Sequence, residues 1–154
     1  MDWLLRAARP MLIPFATHWA NRQQSLALEK GVALTERESV TAQMLGVENV
    51  DRIRLMQVDR IPMPDGPLLG TAARAAGFVS DHTSGLSLGY AIFIRSDVWR
   101  DAHIIAHECV HTSQFERLGG MRRYLGEYLR EVLTVGYVQA PMEVEAVQKS
   151  AAVG

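Results

Sequence analysis

The sequence predicts an α+β domain in which a small, mainly antiparallel sheet packs against helices. Its two strand-like segments, 52–58 and 87–95, lie in the middle of the chain, and most of the helical patterns follow them. Such segregated elements are typical of α+β proteins and not of an alternating parallel sheet. A length of 154 residues suits a single domain. We divide it into an amino-terminal helical segment 1–50, a sheet and loop 51–96, and a group of helices 97–154.

The composition argues against several classes of protein. Hydrophobic residues make up 48% and charged residues 21%, as in ordinary globular proteins. A net charge of −1 without a Lys/Arg cluster predicts no nucleic-acid partner. The longest apolar stretches fall short of the roughly 20 residues of a membrane span. Cys109 is the only cysteine, so no disulfide within the chain is possible, and we expect a cytoplasmic protein.

The first twenty residues are rich in apolar side chains but contain Pro10 and Pro14. They end in no clean cleavage site, so they do not read as a signal peptide. We predict one or two helical turns followed by a segment that the prolines break. A weak contact with a membrane surface stays open for four apolar residues here, Trp3, Leu4, Leu5 and Trp19.

A helix and a strand come next. Thr35 followed by Glu38 is a capping-box pattern, so we predict a helix over 36–45 that Gly46 ends. Residues 52–58 alternate between apolar and polar side chains, which favours a strand.

The middle of the chain is predicted to be a long loop and one further strand. Segment 61–70 contains three prolines and two glycines, which mark a loop. Residues 71–86 are small and polar, and we expect mostly irregular structure there. Residues 87–95, SLGYAIFIR, are rich in β-branched and aromatic side chains and form the best strand candidate of the chain.

Three helices are predicted for the last third of the chain. Asp97 is placed to cap a helix over 98–118, with Gly119 at its end. An apolar stripe runs along 122–133 at helical spacing. Pro141 suits the first position of a last helix.

The motif that carries chemistry is His-Glu-Cys-Val-His at residues 107–111. His107 and His111 are four residues apart, so on a helix they project from one face and can bind one zinc ion at about 2.0–2.1 Å. Glu108 follows His107 by about 100° of helical rotation. It would lie beside the metal and take a proton from a zinc-bound water as general base.

A catalytic zinc site needs a third protein ligand and an open fourth position. Glu143 and Glu145 on the last predicted helix are the candidates. They are about 200° apart around a helix, so only one of them can face the metal. Glu143 falls in the first turn, where the helix dipole favours a negative charge.

The motif and the later glutamates resemble the gluzincins, the zincin metallopeptidases whose third zinc ligand is a glutamate on a later helix. In that group a small residue stands three positions after the ligand, and Ala146 stands there relative to Glu143. The resemblance therefore implies zinc held by His107, His111 and Glu143. The chain departs from the pattern at Val147, where a group that orients a ligand histidine would be expected.

A longer stretch resembles small bacterial zincin-like proteins of poorly defined activity. These carry HExxHxxQ and a downstream Pro-x-Glu-x-Glu-Ala, matched here by HECVHTSQ and PMEVEA. The strand candidate resembles their edge strand, and the likeness covers residues 85–146 but not 1–50. It implies a minimal zincin-like domain.

Other histidines and polar residues have weaker cases. Gln114 follows His111 on the same face and either hydrogen-bonds into the site or is an ordinary packed amide. His103 is expected to support the site or to pack in the core. His18 and His82 stand alone, which favours structural roles, although His82 is the next candidate if neither glutamate binds metal. Cys109 reads as a small core residue.

Three tyrosines could stabilise an oxyanion. Tyr137 is the most attractive, because it shortly precedes the helix of Glu143, and Tyr124 and Tyr128 compete with it. All three also fit core aromatics with one polar end.

Two functions follow from this interpretation. In the first, the protein is a zinc metallopeptidase that holds an extended peptide or protein substrate along strand 87–95, with selectivity set by loop 62–86. In the second, it is a catalytically weak zincin-fold module with a regulatory or protein-binding role, as its small size and Val147 suggest. Glu108 favours the enzyme, since a purely structural metal site has no use for a carboxylate there. A protein without metal is the weakest alternative.

Overall fold

The computed structural model describes residues 2–75, 77 and 83–153. Within these residues it is an α+β structure, as predicted, with a four-stranded sheet packed against α-helices. The elements in chain order are α1 (Asp2–Lys30), β1 (Val32–Ala33), α2 (Glu36–Met44), β2 (Arg54–Val58), α3 (Leu69–Ala75), β3 (Gly85–Leu88), β4 (Ala91–Arg95), α4 (Ala102–Leu118), α5 (Met121–Val135) and α6 (Pro141–Ala152). Short 3-10 turns at Val50–Arg52 and Ser96–Val98 precede β2 and follow β4.

The sheet has the strand order β1-β2-β4-β3. The β1/β2 and β3/β4 pairs are antiparallel and the β2/β4 pair is parallel, so the mainly antiparallel prediction is confirmed. β3 therefore lies at one edge of the sheet, and α4 packs against it.

The single strand predicted over 87–95 is wrong, because this segment is part of a hairpin. Gly89 has φ +68 and reverses the chain, so that Leu88 pairs with Ala91. The run of apolar residues hid the turn, since β3 and β4 are both largely buried. The irregular structure predicted over 71–86 is also wrong in part, because α3 extends to Ala75 and β3 begins at Gly85; residues 76 and 78–82 lie outside the described residues.

The amino-terminal prediction is wrong as well, since α1 is one continuous helix with Pro10 and Pro14 inside it. The helix packs along α5. The Arg6 Nε donates to the Leu133 carbonyl at 2.8 Å and the Arg9 Nη1 to the Gly126 carbonyl at 3.3 Å. Tertiary packing of this kind outweighs the lost backbone hydrogen bonds.

The apolar residues of α1 do not share one environment. Trp3 and Leu4 are 68% and 51% exposed, whereas Trp19 packs against the core. No helix among the described residues has the length and apolar character needed to cross a membrane.

Helix capping follows the sequence at α2 and departs from it at α4. Thr35 and Glu38 form the predicted capping box, with hydrogen bonds of 3.2 and 2.8 Å. The predicted cap Asp97 instead pairs with Arg95 at 2.6 Å, and Asp101 caps α4 by accepting from the Ile104 N–H at 3.0 Å. Two aspartates four residues apart both fit the pattern, and the 3-10 turn between them delays the helix.

The last three helices agree with the prediction in order and kind. Gly119 ends α4 in the left-handed conformation, with φ 87, and Pro141 is the first residue of α6. α4 lies with β3 on one side and α6 on another. This arrangement decides which side chains meet in the site.

Candidate metal centre

His107 and His111 of α4 meet Glu143 of α6 in one cluster. The Nε2 atom of His107 lies 3.2 Å from Glu143 Oε1, and that of His111 lies 3.0 Å from Glu143 Oε2. The three ligand atoms lie within 4.8 Å of one another, so the cluster could hold a metal ion. His107 is partly exposed, whereas the His111 and Glu143 side chains are both 6% exposed.

The start of α6 brings Glu143 to this point. Pro141 opens the helix, which places Glu143 in its first turn. The Met142 N–H has no partner within its own helix, and it donates a 2.7 Å hydrogen bond to Glu131 of α5. This bond joins the first turn of α6 to a neighbouring helix. Ala146 is fully buried, and its small side chain belongs to the same core cluster as residues of α4.

When no metal ion is bound, hydrogen bonds between the two histidines and Glu143 hold the cluster together. Burial alone would raise the pKa of the Glu143 carboxyl, but hydrogen bonds from His107 and His111 and the charge of His111 hold it far below its usual value. Burial lowers the pKa of His111, but its hydrogen bond to Glu143 and the Glu143 charge raise it to about 9. A metal ion that binds here must displace these protons.

The donor set of the cluster fits zinc. Two imidazole nitrogens and one carboxylate oxygen are the three protein ligands of many catalytic zinc sites, which keep a fourth position open. His107 borders a groove at the surface, so an ion held here would have access to solvent.

Glu108 lies beside the cluster, enclosed by the edge strand. Its residue exposure is 7%. A Cβ atom at Gly85 would lie 3.0 Å from Glu108 Oε1, so a larger residue here would displace the carboxylate. Burial raises the pKa of Glu108, although the charges of His111 and His107 and a hydrogen bond from the Ser87 N–H lower it in part. A carboxylate with a raised pKa is a better proton acceptor than an exposed one.

Gln114 hydrogen-bonds to the cluster, which is one of the two alternatives that the sequence left open for it. Its Oε1 lies 2.8 Å from the Nδ1 of His111. Its Nε2 donates to the Met142 carbonyl at 2.9 Å and to Glu145 Oε1 at 2.7 Å. The side chain is fully buried between α4 and α6.

Glu145 lies outside the cluster of His107, His111 and Glu143. It accepts hydrogen bonds from Gln114 and from Arg117, and it pairs with Lys149 at 3.0 Å. Burial alone would raise its pKa, but the bonds from Arg117, Gln114 and Lys149 lower it to about 2. The structure thus places Glu143, and not Glu145, with the two histidines.

Two of the three tyrosines contact Glu143. Tyr128 donates to Glu143 Oε2 at 2.9 Å from a buried position. Tyr137, in the α5–α6 connection, is 41% exposed and hydrogen-bonds to the same carboxylate. Tyr124 stacks on Tyr128 with ring centroids 6.2 Å apart, and all three tyrosines line a small cavity beside Glu143.

The remaining candidates fall outside the cluster. His103 is exposed on the first turn of α4 and lines the groove beside His107, and His18 is exposed on α1. His82 lies outside the described residues. Cys109 is fully buried, and burial raises its pKa to about 12, as suits a core residue. Val147 is 57% exposed and supports no ligand.

One side of the cluster opens into a groove. A groove of about 530 Å³ runs past His107 and Glu108, and Gly85 and Tyr137 are among its lining residues. A larger groove of about 1150 Å³ lies along the 59–74 segment and contains none of the cluster residues. Thr83 borders both, so the two grooves adjoin.

Several contributors to the site carry no sequence signal. The backbone of Gly85 and Ser87 lies against Glu108, and Glu131 accepts a hydrogen bond from an amide of α6. No sequence pattern is specific for either kind of contact. The wider likeness of residues 85–146 had pointed to Gln114 but not to its partners.

Comparison of the chain with models of known protein families, with curated proteins and with solved structures gives no match.

Proposed function

We propose that this protein is a zinc-dependent metallopeptidase of the gluzincin type. The observation that carries the proposal is the convergence of His107, His111 and Glu143, with the Glu108 carboxylate beside them. Two histidines one helical turn apart, a glutamate from a later helix and an adjacent carboxylate are together the parts that zinc-dependent peptide hydrolysis requires.

The chain's own residues divide the work. His107, His111 and Glu143 would hold zinc, which supplies Lewis-acid activation of a carbonyl group and of water. Glu108 accepts the proton of the attacking water and passes it to the leaving amine. Tyr137, partly exposed at the border of the site, is placed to donate a hydrogen bond to the developing oxyanion.

The substrate that suits this site is an extended peptide at the start of β3. β3 is an edge strand, which can bind a peptide through main-chain hydrogen bonds. The Ser87 N–H already bonds to Glu108, so the part of the edge that remains is near Gly85, where the groove passes. The adjoining groove along 59–74 supports a role in selectivity for the described part of loop 62–86.

We further propose that the protein works in the cytoplasm on a peptide or protein substrate and binds no nucleic acid. The single buried cysteine and the balanced charge support this setting. Exposed Trp3 and Leu4 are compatible with a weak contact of the amino-terminal helix with a membrane surface.

One observation favours the second function, a metal-binding module with little turnover. Glu108 is almost fully enclosed, and the Ser87 N–H already occupies its carboxylate. If this enclosure keeps the attacking water from Glu108 despite the groove beside it, the protein binds metal and regulates or binds another protein.

The two functions are separated by the Glu108→Gln variant. The zinc-loaded wild type and variant are incubated with a mixture of unstructured peptides, and new termini are identified by mass spectrometry. The matched control is Glu29→Gln at an exposed position of α1. We expect cleavage by the wild type and by the control, and none by Glu108→Gln with its zinc retained. Equal cleavage by Glu108→Gln would overturn the catalytic assignment, and zinc binding without cleavage by the wild type would support the module.

A further inference from the structure

We propose that Gln114 and Glu145 are positioning residues that orient His111 as a metal ligand. They supply the support that Val147 does not. This inference rests on the proposed function in requiring that the cluster binds metal, and it concerns how the cluster is built.

The orientation of the Gln114 amide is fixed by its surroundings. Its Nε2 faces two groups that can only accept, the Met142 carbonyl and Glu145 Oε1. A flipped amide would set its oxygen against both of these oxygens. The side chain is fully buried, so the lost hydrogen bonds could not be replaced by bulk water. Gln114 Oε1 must therefore point at His111.

This orientation decides which nitrogen of His111 can bind metal. Because Gln114 Oε1 only accepts, Nδ1 of His111 must carry the hydrogen of their 2.8 Å hydrogen bond. In the neutral ring the lone pair is then on Nε2, the atom that lies 3.0 Å from Glu143. A hydrogen-bond acceptor on the second ring nitrogen is the usual support for a ligand histidine.

Glu145 adds a charge to this chain of hydrogen bonds. Its Oε1 accepts from both Gln114 and Arg117, while its Oε2 pairs with Lys149. A carboxylate behind the amide polarises it and strengthens the bond from His111. The Gln114 bond to the Met142 carbonyl also reaches the residue before Glu143. Gln114 thus ties two of the three ligands to each other.

The test is the zinc affinity of the full chain, measured by competition with a chromophoric chelator. We expect Gln114→Ala to lose about 10–100-fold in affinity, as removal of such supporting groups does, and Glu145→Ala to lose less. Lys149→Ala is the matched control, because it removes a partner of Glu145 on the oxygen that Gln114 does not use. Its zinc affinity should equal that of the wild type.

A swapped pair separates positioning from packing. In Gln114→Glu alone, two carboxylates face each other, and zinc affinity should fall. In Gln114→Glu/Glu145→Gln the first group still accepts from His111 and the second donates back to it, so affinity should recover in part, while the Met142 carbonyl stays without its donor. Melting temperatures in chelator provide the second readout, because a packing defect lowers them whereas a positioning defect lowers only the rise on adding zinc.

Unchanged zinc affinity in Gln114→Ala or, should that variant not fold, in Glu145→Ala would overturn the proposal and leave the peptidase assignment intact. A swapped pair that binds zinc no more tightly than Gln114→Glu would also overturn it. Zinc binding that follows the expected pattern in a protein that cleaves no peptide would overturn the peptidase assignment alone. A wild type that binds no zinc would overturn both.

Discussion

Gly85 of β3 and Glu108 of α4 are in such close contact that a side chain at residue 85 would meet the carboxylate. A Cβ atom there would lie 3.0 Å from Glu108 Oε1 and 2.9 Å from the Cγ2 atom of Ile104. The Ser87 N–H of the same strand also bonds to Glu108. The edge strand therefore sets the position of the proposed catalytic base.

Gly85→Ala should consequently damage hydrolysis more than zinc binding. The added methyl group would displace the side chains of Glu108 and Ile104, which costs about 1–3 kcal/mol in a packed interior. The displaced Glu108 should lower kcat, while His107 and His111 keep their ligand positions. Urea unfolding, zinc titration and peptide cleavage measure the three effects.

Gly126→Ala on α5 is the control for this substitution. Its Cβ atom would meet only Ile13 at 3.6 Å, an ordinary contact, so stability should stay equal or rise. Wild-type cleavage by Gly85→Ala would show that the close contact does not fix Glu108.

Tyr128→Phe should weaken zinc binding through Glu143. The variant removes the hydroxyl that donates to Glu143 Oε2 at 2.9 Å and so frees the ligand carboxylate to rotate. We expect a loss of about tenfold or more in zinc affinity and of about 1 kcal/mol in stability. Calorimetric zinc titration and urea unfolding provide the measurements. Tyr124→Phe, on the ring stacked against Tyr128, is the control, and an equal loss in both variants would argue for packing instead.

The Glu38 carboxylate should make the stability of the metal-free protein fall as the pH becomes acidic. Burial raises the pKa of Glu38, but the hydrogen bonds from Arg100 and Thr35 and the charge of Arg100 bring it below its usual value. A carboxyl whose pKa is lower in the folded state stabilises the fold above its unfolded pKa, and loses this contribution as the pH falls through the folded value.

Glu38→Gln should therefore be less stable than the wild type at pH 7 by about 1 kcal/mol. The difference should shrink as the pH falls below about 4, the unfolded pKa of a glutamate. Urea unfolding in chelator at several pH values measures it. A difference that stays constant with pH would mean that the Glu38 charge contributes nothing.

Pro10→Ala should stabilise the protein, because α1 is a continuous helix in which the proline lacks an N–H. Restoring this donor removes a penalty of up to about 3 kcal/mol. Pro141→Ala is the control, since the N–H of a first helical residue has no partner within the helix. Thermal unfolding in chelator compares the two, and a lower melting temperature for Pro10→Ala would contradict the expected gain from the restored N–H.

Local sequence rules predicted the parts of the site that depend on one helix. The four-residue spacing of His107 and His111, the helix start at Pro141 and the position of Glu143 in its first turn follow from chain-local geometry. The meeting of Glu143 with the histidines required the resemblance, because no local rule fixes how α4 and α6 pack.

The secondary-structure predictions were wrong where tertiary contacts or a turn determined the conformation. α1 continues through Pro10 because α5 supports it, and the hairpin turns at Gly89 inside an apolar run. Glu145, which the helix geometry directs away from the His107–His111–Glu143 cluster, is nonetheless linked to His111 through Gln114. That link joins residues 31 positions apart and could not be read from spacing.

The most direct test of the metal centre is the zinc content of four purified proteins, measured after dialysis against a weak chelator. The proteins are the wild type, Glu108→Gln, His107→Ala and Glu143→Ala. We predict about one zinc per chain in the first two, because Glu108 is not a ligand, and almost none in the last two, because each lacks one of three protein ligands. A wild-type zinc content in Glu143→Ala would contradict the account.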